Sequence, residues 1–112
     1  MSQAGELAKK YYLEEGYNCS EAVWLALNQD LDEEKLNFGL RLAGAFGGGL
    51  SSGCLCGGLG GAALSLARWF GREMGQDRHP QFPEILQSLT AFSKEKFSGT
   101  DCCDLKPEGD HK

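Results

Sequence analysis

Apolar residues recur every three or four positions along most of this 112-residue chain, and no stretch shows the strict alternation of a strand. The spacing predicts a first helix from about Ser2 to Glu15, with Gly16 at its C-terminal cap position. Asn18 suits the N-cap of a second helix, because Glu21 three residues later completes a capping box. Cys19 is therefore predicted to lie in the first turn of that second helix.

Two more helices are predicted in the middle of the chain. Asp32 can cap the third, and the run Gly47–Gly49 is expected to end it. A long fourth helix is predicted to begin near Cys54–Cys56 and to stop at Gly71 or Gly75. Leu59, Ala63, Leu66 and Phe70 recur along it at near-helical spacing.

The C-terminal part predicts one further helix and a short last turn. Pro83 fits the first position of the fifth helix, since the N–H that proline lacks is not needed there. The last turn carries Cys102 and Cys103. We therefore expect an all-α fold, a compact single-domain bundle of about five helices over residues 1–106, with a glycine-rich cysteine loop at a helix N-terminus. Residues 107–112 are expected to form a flexible tail.

Composition and charge narrow the classes of function. Hydrophobic residues make up 41% of the chain and charged residues 24%, which is typical of a globular protein. The net charge is −5 and the sequence has no basic stripe that could neutralise phosphates, so we expect no nucleic-acid partner. No signal peptide or apolar run of transmembrane length is evident, so we expect a cytoplasmic protein without a membrane partner. In the cytosol, clustered cysteines bind metal or do redox work more often than they form structural disulfides.

The five cysteines fall in three clusters. Cys19 lies in GYNCSEAV, Cys54 and Cys56 in SSGCLCGGLGG, and Cys102 and Cys103 in GTDCCDL. Each cluster is predicted to open a helix, where unpaired N–H groups and the positive end of the helix dipole favour a thiolate. Three such positions in one small domain indicate redox chemistry, metal ligation or both.

Only one cysteine of the central pair is expected to join a shared site. On a helix, Cys54 and Cys56 would point about 200° apart. Cys56 is the better candidate because it directly precedes Gly57 and Gly58, whose bare backbone could donate N–H groups to sulfur or leave room for a cofactor. Cys54 could contact the same cofactor or be a small buried hydrophobic residue. Close packing of neighbouring helices would explain the glycines equally well.

Converging thiolates repel one another, so they require a shared proton, a disulfide or a cation. A four-thiolate site could draw on Cys19, Cys56, Cys102 and Cys103. Zinc is the less attractive cation because the chain has no CxxC pair, and an iron–sulfur cluster fits the scattered spacing better. His79, in a polar loop, is predicted to be solvated.

Arg68 is the remaining candidate for the site. It lies on the predicted helix that follows Cys56, with Arg72 four residues later. The two cations could stabilise a thiolate, or they could form a solvated stripe.

The motifs GYNCSEAV, FGGG, CGGLGG and FSGTDCCDL, in this order, resemble the redox-active proteins named for their C_GCAxxG_C_C cysteine pattern. Cys19 matches the first cysteine of the family and Cys56 the central one. Gly57 and Gly61 are in register, and Gly58 stands where the family prefers alanine. The third cysteine matches the Cys102–Cys103 doublet, and the leucine three residues after Cys102 favours that member.

The resemblance implies a redox function without an established reaction. We therefore expect electron transfer or thiol–disulfide transfer through Cys19, Cys56 and Cys102, with an unidentified redox partner protein. An iron–sulfur cluster is slightly favoured over a bare dithiol. The alternative is a structural or interaction domain with buried cysteines or a structural zinc. A small helical domain with glycine-lined faces is also open to homodimerisation.

Overall fold

The computed structural model describes residues 3–53 and 56–97, and these residues form helices without any strand. The α-helices are α1 (Gln3–Leu13), α2 (Cys19–Leu27), α3 (Glu33–Ala43), α4 (Gly57–Phe70) and α5 (Phe82–Phe97). A 3-10 turn at Gly44–Phe46 and a π-type turn at Gly49–Gly53 lie between α3 and α4. The predicted all-α fold is confirmed. No helix in the described ranges has the length and apolar character needed to cross a membrane.

Local capping explains where α2 and α3 begin. Asn18 Oδ1 accepts the N–H of Glu21 at 2.9 Å, and Glu21 Oε1 accepts the N–H of Asn18 at 2.9 Å, which confirms the predicted capping box. Asp32 Oδ1 accepts the N–H of Lys35 at 2.9 Å, as predicted for the third helix. Asn18 also donates from Nδ2 to the Gly44 carbonyl at 3.2 Å, which ties the start of α2 to the end of α3.

The other helix ends differ slightly from the prediction. α1 ends at Leu13, and Gly16 follows with a φ of +81°, a left-handed conformation that glycine adopts without strain. α3 passes into the 3-10 turn at Gly44, before the glycine run that was predicted to end it. α5 begins at Phe82, so Pro83 is its second residue. Proline is tolerated there because the first-turn N–H groups have no partner within the helix.

A small apolar core is centred on α2. Trp24 and Leu25 of α2 pack with Ala43 of α3, and all three are buried. Trp24 Nε1 donates to the Leu36 carbonyl at 2.9 Å, which satisfies its polar group. The indole ring lies against Gly39, where a Cβ would overlap it. α3 therefore crosses α2 at a residue without a side chain.

α2 and α4 pack side by side and run in the same direction. Gly57 at the start of α4 lies against Cys19 and Ser20 at the start of α2. Ser65, two turns further along α4, hydrogen-bonds to Asn28 just after α2. This order of contacts makes the two helices parallel, so both N-termini lie at the same end of the pair.

The inward face of α4 is made of small residues, as the close-packing interpretation of the glycines predicts. Its buried residues are Gly57, Gly60, Gly61 and Ser65. The periodic apolar residues Leu59, Ala63, Leu66 and Phe70 are only half-buried. A Cβ at Gly61 would stand 2.6 Å from the Ser20 carbonyl oxygen, so the glycine is what permits the two backbones to approach.

A polar network joins α2 and α4 at the C-terminal end of the pair. The buried Asn28 donates from Nδ2 to the Trp24 carbonyl at 2.9 Å and to Ser65 Oγ at 3.0 Å. Arg68 donates to Asn28 Oδ1 at 3.2 Å and makes an ion pair with Asp30 at 2.6 Å. Its guanidinium lowers the pKa of the Asp30 carboxyl. Asn28 is thus satisfied by partners from two helices, whereas Asp30 lies at the surface.

We expect Asn28→Ala to lower the free energy of unfolding by about 2 kcal/mol, because the buried Trp24 carbonyl and the Ser65 hydroxyl both lose a donor. Asp30→Ala is the matched control, since it removes a partner of the same arginine at an exposed site, and it should cost much less. Urea denaturation of the two variants measures both losses. Equal losses would mean that the surface ion pair, and not the buried amide, holds this end of the bundle.

Candidate functional site

Two cysteines lie at the paired N-termini of α2 and α4. Cys19 is the first residue of α2, and Cys56 is the N-cap of α4 with φ −60° and ψ 124°. The prediction that the fourth helix begins near Cys54–Cys56 therefore placed its start slightly early. Both thiols are free, and both residues are of intermediate burial.

Gly57 brings the two cysteines into one site. A Cβ at this position would overlap Cys19 Sγ and would stand 2.9 Å from the Phe46 carbonyl oxygen. The sulfur of Cys19 therefore fills the space of a side chain at position 57. Because consecutive Cα atoms are about 3.8 Å apart, this sulfur lies within about 8 Å of the Cys56 Cα.

The sulfur of Cys56 lies on the neighbouring side of the same helix start. A Cβ at Gly58 would stand 3.6 Å from Cys56 Sγ and 3.9 Å from Cγ2 of Val23, which lies one turn after Cys19 on α2. These are ordinary van der Waals separations. Position 57 thus has no room for a Cβ, whereas position 58 does.

The turn after α3 forms the adjoining wall of the site. Gly47 lies against Asn18, whose side chain a Cβ at Gly47 would overlap, and the Phe46 ring covers Gly60 at 2.9 Å from the position of a Cβ. The cap of α2, the 3-10 turn and the first turn of α4 are therefore packed together with no space for larger side chains at these glycines.

The chain between this wall and the second cysteine motif is strained. Leu50 and Ser51 have φ values of +62° and +57°, in the left-handed region that residues with a Cβ rarely adopt. Leu50 is also 50% exposed, so burial of its side chain does not account for this conformation. Such strain persists only where the surrounding structure imposes it.

The charges near the thiols come from the helix termini and from Glu21. The N-terminal N–H groups of α2 and α4 present the positive ends of two parallel dipoles at the same end of the pair. The Glu21 carboxylate lies at the start of α2, where it accepts the N–H of Asn18. Arg68 is about 17 Å further along α4 and is bound to Asp30, so it does not stabilise a thiolate here.

His79 lies at the far end of α4. Its ring packs edge-on against Phe70 at 5.2 Å, and its Nδ1 accepts the N–H of Gln81 at 3.1 Å. It is half-buried rather than fully solvated as predicted. The length of α4, about 20 Å, separates it from the thiols.

No sequence pattern singles out Ser20. It follows Cys19 in the first turn of α2 and is fully buried, yet its Oγ has no hydrogen-bond partner. An unpaired buried hydroxyl costs about 1–3 kcal/mol. First-turn serines are common in helices, so only the structure reveals this one.

The structure thus brings together part of the predicted site. Cys19, Cys56, Gly57 and Gly58 share one end of the α2–α4 pair. The other predicted members, Cys54, Cys102 and Cys103, lie outside the described residues. Within residues 3–53 and 56–97, no three side chains of the histidine, cysteine, aspartate and glutamate classes are grouped to hold a metal ion.

We expect Gly57→Ala to lower the free energy of unfolding by about 2 kcal/mol, because the new Cβ must displace the Cys19 sulfur or the Phe46 carbonyl. Gly58→Ala is the matched control, one residue later in the same turn. It should be neutral or stabilising by up to about 1 kcal/mol, since alanine favours the helix. Denaturant titration gives the two stabilities, and the alkylation rate of Cys19 should change only in Gly57→Ala. Equal stability of both variants would contradict the packing described here.

We expect Ser20→Ala to raise the free energy of unfolding by about 1 kcal/mol, since it removes a buried hydroxyl that has no partner. Ser65→Ala should have the opposite effect, because Ser65 Oγ accepts from Asn28 and donates to the Gly61 carbonyl at 2.8 Å. Thermal and chemical unfolding of both variants provide the comparison. A loss of stability in Ser20→Ala would show that its hydroxyl has a partner in solution.

Comparison with known proteins adds a family to this geometry. No curated protein and no solved structure matches the chain. A family model described as "Putative redox-active protein (C_GCAxxG_C_C)" matches residues 17–112, a range that includes both helices of the site and all five cysteines. The chain therefore belongs to the C_GCAxxG_C_C redox-active protein family.

Proposed function

We propose that this chain is a thiol redox protein whose working residues are Cys19 and Cys56. The observation that carries the proposal is the contact of Cys19 Sγ with Gly57, the residue that follows Cys56. Both thiols are free and partly exposed at the ends of parallel helices. Membership of a family named for redox activity supports the same chemistry.

The reaction that fits two neighbouring thiols is disulfide exchange with a partner. A thiolate of the pair attacks one sulfur of the partner's disulfide, and the partner's other sulfur leaves as a thiolate. The second cysteine then attacks the mixed disulfide, which forms the Cys19–Cys56 bond and releases the partner as a dithiol. Two electrons and two protons pass from this chain to the partner, and the reverse sequence returns them.

The two helix N-termini suit this step. The attacking and leaving sulfurs carry negative charge during exchange, and unpaired N–H groups at helix starts stabilise anions. α2 and α4 contribute such groups at the same end because they run parallel. Partial exposure of both cysteines allows a partner disulfide to approach.

An iron–sulfur cluster is the second candidate for the same thiols. Thiolates are the ligands that such clusters prefer, and Cys19 and Cys56 supply two of them. Two further ligands would come from Cys102 and Cys103, with Cys54, Gly57 and Gly58 as additional contacts. The cluster would supply one-electron transfer, while the parallel helix ends would offset its negative charge.

We place this chemistry in the cytoplasm with a redox partner protein. Five cysteines cannot all pair within one chain, and the cytosol keeps unpaired thiols reduced. The rival function is an interaction domain in which the cysteines are only small packing residues or hold a structural zinc. In that rival function, neither Cys19 nor Cys56 is reversibly oxidised.

We expect mild oxidation of the metal-free protein to form a Cys19–Cys56 disulfide, detected as a linked peptide by mass spectrometry without reductant. Cys56→Ser should abolish the link, and Cys54→Ser should leave it near the wild-type level. The distinction follows from the position of Cys56 directly before Gly57, which contacts Cys19.

Measurement of iron and sulfide in anaerobically purified protein distinguishes the iron–sulfur cluster from the Cys19–Cys56 disulfide. Stoichiometric iron and sulfide that Cys19→Ser and Cys56→Ser both abolish would favour the cluster. Absence of both the cluster and the disulfide would refute a redox role for this pair. Loss of the linked peptide in Cys54→Ser, with retention in Cys56→Ser, would instead assign the pairing to Cys54.

A further inference from the structure

α3 has two apolar faces, and only one of them packs against the core. Leu36, Gly39, Leu40 and Ala43 face α2. On the outer side, Phe38 and Leu42 are 52% and 51% exposed, one turn apart. A soluble helix of this length ordinarily presents charged or polar residues on its outer face. The exposed side chains of Phe38 and Leu42 therefore indicate that another molecule covers this surface when the protein functions.

The outer face of α3 continues into a groove toward α4. The groove has a volume of about 320 Å³, and its apolar lining includes Trp24, Leu31, Phe38, Leu42 and Leu64. Lys35 and Arg68 contribute the charged groups of this lining. Both already have acidic neighbours, Asp32 and Asp30, within the chain. The groove thus offers mainly apolar contact to whatever lies on it.

We propose that a second copy of this chain covers this surface, with the two α3 helices packed antiparallel about a twofold axis. The charge pattern of α3 is the reason for proposing a second copy of the chain at this surface. The helix begins with Asp32, Glu33 and Glu34 and has Arg41 in its last turn. Antiparallel pairing places the acidic start of each helix against the basic end of the other and opposes their dipoles.

The flanking charges are in register for this arrangement. Glu34 and Arg41 are seven residues apart, so they lie on the same side of the Phe38–Leu42 stripe. In an antiparallel pair, flanks of the same side meet, and a twofold axis beside Phe38 brings Glu34 of one copy level with Arg41 of the other, with the two Phe38 rings at the centre. The guanidinium of Arg41 lies 5.7 Å from the centre of the Phe38 ring, at the edge of the apolar stripe.

The net charge of the chain makes this register specific. At −5, two copies repel one another in most orientations. An orientation that sets Glu34 against Arg41 around the two Phe38 rings offsets that repulsion locally. The twofold arrangement does so twice, because each copy donates one Glu34 and one Arg41.

The dimer surface is separate from the thiol site. Leu64 lies about 10 Å along α4 from Gly57, and Phe38 and Leu42 belong to a different helix from either cysteine. Pairing through α3 therefore leaves Cys19 and Cys56 accessible. The proposal does not depend on the redox function, and its failure would leave that function untouched.

Sedimentation equilibrium of the full reduced chain tests the proposal. We expect a monomer–dimer equilibrium whose dissociation constant rises at least about 100-fold in Phe38→Glu, since a charge then faces an apolar centre. Phe92→Glu is the matched control, because Phe92 is also a half-exposed helical phenylalanine, at 55%. It should leave the dissociation constant unchanged. A wild-type chain that remains monomeric at about 1 mM, or equal effects of the two variants, would overturn the proposal.

Charge reversal tests the register. Glu34→Arg and Arg41→Glu should each weaken the dimer about tenfold, because each places like charges together at two symmetric positions. The double variant restores opposite charges at both positions and should return to near the wild-type value. Circular dichroism of each variant checks that the helices are intact. A double variant weaker than both singles would overturn the antiparallel arrangement.

Discussion

The arrangement of this bundle depends on the missing side chains along one face of α4. Gly57, Gly60 and Gly61 let α4 approach the first turn of α2 and the Phe46 ring more closely than any larger residue would permit. Each glycine costs a helix roughly 0.5–1 kcal/mol relative to alanine. Close contact between the helices offsets that cost, and it makes them parallel neighbours whose N-termini share one end. The proximity of the two thiols follows from this packing.

The two ends of the α2–α4 pair are built from different interactions. At the N-terminal end, Cys19 and Cys56 lie partly exposed beside glycines. At the other end, Asn28, Ser65 and Arg68 form a network in which the buried amide is fully engaged. The network fixes the register of the pair away from the thiols, so that the thiol end needs no polar side chain of its own to hold α2 and α4 together.

Local signals were predictable from the sequence, whereas the glycine run left two interpretations open, close packing of helices and space for sulfur or a cofactor. Asn18 with Glu21, and Asp32, are capping residues whose partners lie within three positions, so their helices could be placed in advance. Apolar periodicity placed Leu59 and Leu66 on a helix, but it could not show that the glycines of α4 form its buried face. Motif order identified the family, yet it does not distinguish Gly57 from Gly58, and the packing of α4 does: of the two positions, 58 has room for a Cβ and 57 has none.

The sulfur of Cys19 is a packing atom as well as a free thiol, since it occupies the volume that a side chain at position 57 would need. Enlarging that sulfur, by the addition of oxygen atoms in a sulfinic acid for example, adds volume beside Gly57, where there is no room even for a Cβ. Oxygen atoms added on the side of Gly57 would force α4 away from α2. The oxidation state of Cys19 is thereby coupled to the distance between α2 and α4, so overoxidation of this cysteine would change the packing of the bundle.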